Sequence, residues 1–289
     1  MVRSVQAKEK FTHLANLFVN HEMEIRLACF GGVLLVVAVW EFLAPRRALS
    51  IGRETRWPSN LVLVALNSVM LRIAFPFAAV GMAGLAAERG WGVLNILAVD
   101  SGVAAFVAII LLDLAIYGQH VLFHAVPVLW RLHRMHHADQ DIDVTTGVRF
   151  HPFEIALSMG IKLAVVVLLG APPLAVMVFE IILNATAMFN HGNVRLPTAI
   201  DRLLRWIIVT PDMHRVHHSI RTDETNRNYG FNAPWWDRLF GTYREQPADG
   251  HKNMTIGIAL FRDKKDLRLD QLLIQPFRNS PRDTNINNR

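Results

Sequence analysis

At 289 residues, 52% of them hydrophobic and 19% charged, with a mean hydropathy of +0.26, the chain is more apolar and less charged than a soluble domain. Its single cysteine, Cys29, excludes an intramolecular disulfide framework. The net charge of +6 is spread through loops with no basic stripe interleaved with aromatics. That sets nucleic-acid binding aside and reads instead as basic flanks of membrane segments.

The first 26 residues are polar and mixed in charge. They hold no short apolar core followed by a small-residue cleavage site, so no removable signal peptide is expected. Residues 27–40 are uncharged, and the apolar character resumes after Glu41 up to Pro45, about the length a bilayer crossing needs. A second apolar stretch, 61–87, is interrupted by Arg72 and Pro76, and a third, 101–119, has Asp113 as its only charge. A fourth block, 153–189, is broken at 170–173 by "GAPP", where Gly and Pro end one helix and begin another. Each half is marginal for a full crossing, so a helical hairpin that dips into the membrane and returns is predicted. The loop "PRRALSIGRETR" carries Arg46, Arg47, Arg53 and Arg56 against Glu54, which marks it as cytoplasmic. Counting spans forward brings everything from His120 onward to that same face, and puts the basic N-terminal segment on the other. From about residue 190 the chain is polar with helical patches, and the tail "NSPRDTNINNR" reads as disordered.

The expected fold is therefore all-α: an integral membrane helical bundle of about three spans plus a helical hairpin, with a cytoplasmic histidine-rich helical cap. Three regions follow. Residues 1–119 hold the N-terminal segment and spans, 120–245 a catalytic region including the hairpin at 153–189, and 246–289 a C-terminal cytoplasmic tail.

Two stretches carry the chemistry, "WRLHRMHHADQ" at 130–140 and "PDMHRVHHSIR" at 211–221. Both contain His-x-x-His-His. With 13 histidines in the chain, composition alone would give roughly 0.03 such patterns. On a helix, positions i, i+3 and i+4 share a face, which groups His133, His136 and His137, and likewise His214, His217 and His218. His120 and His124 form an i, i+4 pair in "HVLFH", on a stripe with Asp113 and Tyr117. A ninth, His191, follows the hairpin. His13, His21 and His251 read as ordinary solvated or hydrogen-bonded residues. Imidazole suits Zn, Cu, Fe and Ni, and one ion takes three to six ligands, so this many histidines imply two ions. They are too many for a lone zinc site. No Glu-x-x-His pair points to a carboxylate-rich di-iron bundle. A histidine-rich di-iron centre remains, although ligand type alone does not exclude zinc.

The order "DLAIYGQHVLFH", "LWRLHRMHH", "RFHPFE", "NHGNV", "TPDMHRVHHS" and "NYGFNAPWWDRLFGTY" resembles the membrane fatty acid hydroxylase / sterol desaturase superfamily over roughly 113–243. The resemblance implies a helical membrane anchor with a cytoplasmic cap, two irons, and O₂-dependent oxidation of a lipid chain or ring. It also implies that His120, His124, His133, His136, His137, His191, His214, His217 and His218 are metal ligands. His151 in "RFHPFE" matches a family position as a ligand or as a residue behind the ligands. Gln119 stands where many members have Trp, and Gly192 where they have Ser; neither removes a ligand. Some relatives carry a fused cytochrome b5 with a His-Pro-Gly-Gly signature, which is absent here. Electrons are then expected from a separate redox partner, cytochrome b5-like or a ferredoxin with its reductase.

Breaking an unactivated C–H bond is beyond side-chain acids and bases, so the oxidant has to come from a metal cofactor. Hydroxylation and desaturation share one ligand set and differ in substrate placement. Ligand imidazoles need acceptors for their second N–H; Asp113, Glu154, Asp212, Asp223, Asp237, Asn190 and Asn228 are candidates. Asp113 stands out because an acid inside a span is costly, and Asp237 joins it behind the ligands. Arg134 and Arg215, lying between ligands, should turn away toward carboxylates or lipid phosphates. Trp235, Trp236, Leu239 and Phe240 read as packing or interfacial residues, and Pro211 as the first residue of a helix. Two rivals remain: a histidine-rich metal transporter or store, which would place ligands near the membrane midplane, and a zinc-dependent membrane hydrolase, which would place a Glu beside a His-x-x-x-His pair.

Overall fold

A computed structural model describes residues 17–278. His13, most of the polar N-terminal segment and the tail from 279 lie outside the described residues. Among those described there are no strands, and only two isolated bridges, Pro45 with Val194 and Ser219 with Ile256.

Five helical segments are long and apolar enough to cross a membrane. The first, α1 (Glu22–Leu43), starts a turn earlier than its apolar run. The stretch expected at 61–87 is two helices, α2 (Arg53–Ala74) and α3 (Ala79–Glu88). Pro76 separates them: it has no N–H to give and excludes the α conformation from Phe75, which adopts φ −127°, ψ 88°. Helix α4 (Ser101–Ala125) runs six residues past the expected end of the third span. His120 and His124 ride on its last turns, as their i, i+4 spacing predicts. Pro127 opens α5 (Pro127–His137), which bears the first triplet.

The hairpin is α6 (Pro152–Leu169) and α7 (Pro173–Asn190). At 18 residues each arm is about 27 Å long, close to the hydrocarbon thickness. Gly170 makes the turn in the left-handed region at φ 68°, and a Cβ there would lie 2.6 Å from both Asn95 and the Trp91 carbonyl. The arms pack on α3 and α4 through a core of Ala79, Ala83, Ala104, Ala108 and Ala175, with Leu112, Val176 and Phe179 between them. Small residues allow these helices to approach closely. Buried Glu180 accepts from Lys162 of the other arm and pairs with Arg26 of α1 at 3.0 Å, so charge inside the bundle is neutralised locally.

Where α1, α2, α5 and α7 meet, a buried ion network fixes the connection at 138–151. Arg56, fully buried although the sequence reads it as a loop charge, donates to Asp139 at 2.7 and 2.8 Å and to Asp143 at 2.6 Å. Arg149 reaches Asp139 at 3.3 Å. Burial raises the Asp139 carboxyl, but Arg56 and Arg149 outweigh it and hold it at about 2. Glu41 accepts from the backbone N–H of Val144 and of Asn193, joining this connection to the end of α7. After α8 (Pro211–His217) and α9 (Trp235–Leu239), the chain from 246 to 278 folds back. Leu272 of α10 (Leu269–Ile274) packs on Leu63 and Met135, and Arg134 donates to the carbonyls of Gln275 and Arg278 at 2.9 and 2.8 Å.

Candidate metal centre

Nine histidines from four chain segments meet in two groups, one of His120, His124, His133, His137 and His217, the other of His136, His191, His214 and His218. Within each, the available ring nitrogens lie within 4.8 Å of one another. The two triplets do not each form a site. From α5, the i and i+4 residues His133 and His137 enter the five-histidine group while the i+3 residue His136 crosses to the other. From α8 the assignment reverses: His214 and His218 enter the four-histidine group and His217 crosses. Stacked rings of His137 and His218, 4.5 Å apart, join the two groups.

The ring tautomers follow from what Nδ1 meets. His120 Nδ1 faces the Tyr229 carbonyl at 2.7 Å, His217 Nδ1 the Arg227 carbonyl at 2.7 Å, and His191 Nδ1 the Ala187 carbonyl at 2.7 Å. His136 Nδ1 faces the Arg149 carbonyl at 3.2 Å, and His133 Nδ1 the Glu154 carboxylate at 2.6 Å. Carbonyls and carboxylates accept only, so each Nδ1 carries the proton and each Nε2 is a bare lone pair in the neutral ring. The lone pairs of His120, His133 and His217 face each other, as do those of His136 and His191. His120 Nε2 is 3.1 Å from His133 Nε2 and 3.0 Å from His217 Nε2; His191 Nε2 is 3.1 Å from Nε2 of His136, His214 and His218. Converging lone pairs repel unless a cation lies among them. Two metal–nitrogen bonds of about 2.1 Å at a right angle span about 3.0 Å, against about 3.4 Å in a tetrahedron. The donor set fits a resident metal in both groups.

Burial reinforces this. It pushes His136, His137, His214 and His218 well below the usual imidazole range, with neighbouring rings adding to the shift. His191 falls to about 4 and His217 to about 3, again chiefly through burial. The rings are neutral at physiological pH, as ligation requires.

Of the acceptors expected behind the ligands, Glu154 is the one that meets a clustered histidine. Asp113 accepts from Trp236 Nε1 at 2.8 Å. Asp237 accepts from the backbone of Tyr229 and Gly230 at 2.8 Å each, steadying the carbonyl that receives His120. Asp212 pairs with Arg46 and Arg215, and Asp223 with Arg244. Asn190 and Asn228 hold backbone carbonyls of Phe231 and Met213. His151 stands outside both groups: Nδ1 accepts from Phe153 N–H at 3.2 Å and caps α6, and Nε2 faces the Leu273 carbonyl at 3.1 Å. Arg215 turns to Asp212 and the Gly192 carbonyl, and Arg134 to the C-terminal stretch. Pro211 does open α8, with Thr210 capping it. Trp235, Leu239 and Phe240 are exposed, with Trp235 Nε1–H donating to the Trp206 carbonyl at 2.7 Å, while Trp236 is half-buried. The carbonyls of Tyr229, Arg227, Ala187 and Arg149 escape sequence reading, because every residue has one. Asn226, 3.3 Å from His124 Nδ1, carries no motif signal either.

Residues 105–242 match the fatty acid hydroxylase family model. The chain is 31% identical over 148 residues to ornithine lipid hydroxylase OlsE of Rhizobium tropici, covering 51% of this chain and 44% of that protein. It is 26% identical over 136 residues to alkylglycerol monooxygenase of Xenopus tropicalis, 45% of this chain and 28% of the relative. Cholesterol 25-hydroxylase of Rattus norvegicus is 24% identical over 144 residues, 49% of this chain and 47% of the relative. The matched stretch spans less than half the length of each of these proteins. No solved structure matches.

Proposed function

We propose, from the match of residues 105–242 to the fatty acid hydroxylase family model, that this chain is a membrane-bound di-iron oxidoreductase that uses O₂ to hydroxylate a lipid. One observation carries the reading: nine buried histidines in two groups, with Nε2 lone pairs converging at 3.0–3.1 Å. Five donors in one group exceed the four of a tetrahedral zinc site, which favours iron. Bound there, two iron ions would supply the oxidation of an unactivated C–H bond by O₂.

The remaining work belongs to the protein. His120, His124, His133, His137 and His217 hold one ion; His136, His191, His214 and His218 hold the other. Glu154 holds the proton on His133 Nδ1 and so aims its Nε2. Asp237 fixes the Tyr229 loop, which does the same for His120 through a backbone carbonyl. His151 supports α6 and thereby Glu154. The apolar helices admit the hydrophobic part of a lipid from the bilayer to histidines at the helix ends, a position unlike the midplane site of a transporter. Hydroxylation is favoured over desaturation by relatives named as hydroxylases or monooxygenases of an ornithine lipid, an alkylglycerol and cholesterol. The centre faces the cytoplasm in this reading, and a separate redox protein supplies electrons.

The test is metal analysis and iron Mössbauer spectroscopy on purified, reduced protein, joined to lipid profiling. Two irons in a coupled pair and an oxygenated lipid are expected. His136→Ala and His217→Ala should each insert into membranes yet lose metal and activity. Full activity with two irons retained in either variant would refute the ligand assignment.

A further inference from the structure

An O₂-dependent hydroxylation, R–H + O₂ + 2e⁻ + 2H⁺ → R–OH + H₂O, draws its electrons from outside the chain, so the route by which they enter is part of the function. The inference here rests on the reaction proposed above. Between α1 and α2 lies an open cleft of about 410 Å³ lined by Pro45, Arg46, Arg47, Ala48 and Lys252. Arg195 stands at its edge, its N–H donating to the Ala44 carbonyl at 3.0 Å, and the Pro45–Val194 bridge closes that side. Lys252 and the Arg195 side chain are exposed and make no hydrogen bond or ion pair among the described residues. Arg47 donates to the Met254 carbonyl at 2.8 Å, while its Nε is buried without an acceptor. Asp212 is occupied by Arg46 and Arg215, and Asp141 by Ser50 and the Ile51 N–H, while Asp249 is exposed three residues before Lys252. Four cations, Arg46, Arg47, Arg195 and Lys252, face these carboxylates and leave the cleft positive.

Its floor leads to the metal centre. Arg46 N–H donates to the Asn193 carbonyl at 2.9 Å, and Arg47 exchanges hydrogen bonds with the Asn193 amide at 3.2 and 2.9 Å. Asn193 is two residues from His191, at most about 7 Å of chain, and His191 Nε2 is the hub of the four-histidine group. Asp212, which holds Arg46, precedes His214 by two residues.

We propose that this cleft is the docking face for an acidic one-electron carrier protein, which passes electrons through the Asn193–His191 segment to the four-histidine group. Two docking events per turnover supply the two electrons, and the carrier leaves oxidised each time. Opposed charge raises the rate of such encounters and makes them salt-dependent.

The test uses the full chain in detergent, with reduced plant-type [2Fe–2S] ferredoxin and the soluble domain of cytochrome b5 as acidic probes. Binding is measured by biolayer interferometry at low and high salt. Lipid oxidation is driven separately by dithionite, which needs no docking face. At least one probe should bind at low salt and release at high salt. Lys252→Glu/Arg195→Glu should weaken that binding about tenfold or more, and Arg47→Gln should weaken it less, with metal content and dithionite-driven oxidation unchanged. Absence of binding by both probes at low salt overturns the proposal, as does unchanged binding by the double variant. Loss of adhesion to phosphatidylglycerol vesicles with carrier binding intact would assign the cleft to lipid headgroups and also overturn it. Wild-type protein holding two irons but oxidising no lipid with dithionite would sink the proposed reaction, whereas the binding arm judges the cleft by itself.

Discussion

Glu154→Gln tests the centre at a single atom. Glu154 and His133 are buried, and the carboxylate accepts Nδ1–H at 2.6 Å. The amide keeps nearly the same shape and still offers an oxygen, so the tautomer survives while the negative charge is lost. A hydrogen bond to a charged group contributes about 1.5–3 kcal/mol, and removing such a support behind a ligand typically weakens metal binding about ten- to hundredfold, or about 1.4–2.8 kcal/mol. The two ranges agree, so a ten- to hundredfold loss is expected. It should fall on one ion only, because His133 belongs to the five-histidine group and the rings of the other lean on carbonyls or on one another. Chelator competition with metals counted by mass spectrometry should show the variant passing through a one-ion state at a lower chelator concentration than wild type. Glu154→Ala, which leaves the N–H without an acceptor, should lose that ion more readily still. Two ions released by Glu154→Gln together, at the wild-type concentration, would remove Glu154 from the role given to it.

Asp139→Asn leaves Arg56 and Arg149 buried beside a neutral group and should cost about 3–5 kcal/mol, read as a lowered denaturation midpoint in detergent. Because the Asp139 carboxyl is held at about 2, below its unfolded value near 3.9, its stabilisation is present above pH 4 and lost as pH falls toward 2; the variant should lack that part of the acid transition. Gly147→Ala would drive a Cβ into the Ala187 carbonyl oxygen and to 3.2 Å from His191 Nδ1, costing about 1–3 kcal/mol and releasing metal from the four-histidine group first, as metal analysis would show. His191 and His217 sit at about 4 and 3, below the unfolded value near 6.5. Their contribution is full above pH 6.5 and is lost as pH falls through the folded values, so metal content measured across pH should hold at mildly acidic pH and fall as pH passes through about 4 and then 3.

Eight of the nine clustered histidines were legible because helical spacing writes a shared face into the sequence, whereas His191 stood out by its place after the hairpin and by the family resemblance. How they divide was not: i, i+3 and i+4 place three rings on one side of α5 without saying that His136 reaches a different neighbour from His133 and His137. Glu154 was legible as an acid close to a box, whereas Asp113, favoured for its position in a span, serves Trp236. Spans were found from hydropathy, and their ends were missed where polar ligands extend an apolar helix, as in α4. Arg56 was read as a topological charge because its acceptors lie 83 and 87 residues away, and a pairing that distant leaves no local pattern.

The crossing of the triplets also sets a timetable. His217 lies 80 residues after His137, the last of the other four members of its group, so at about 5–20 residues per second it leaves the ribosome about 4–16 s later. Through that interval His120, His124, His133 and His137 exist without their fifth member. Four imidazoles are the donor number of a tetrahedral zinc site. In the proposed ligand assignment, the unfinished group therefore offers a zinc-like donor number until the last box supplies the fifth imidazole.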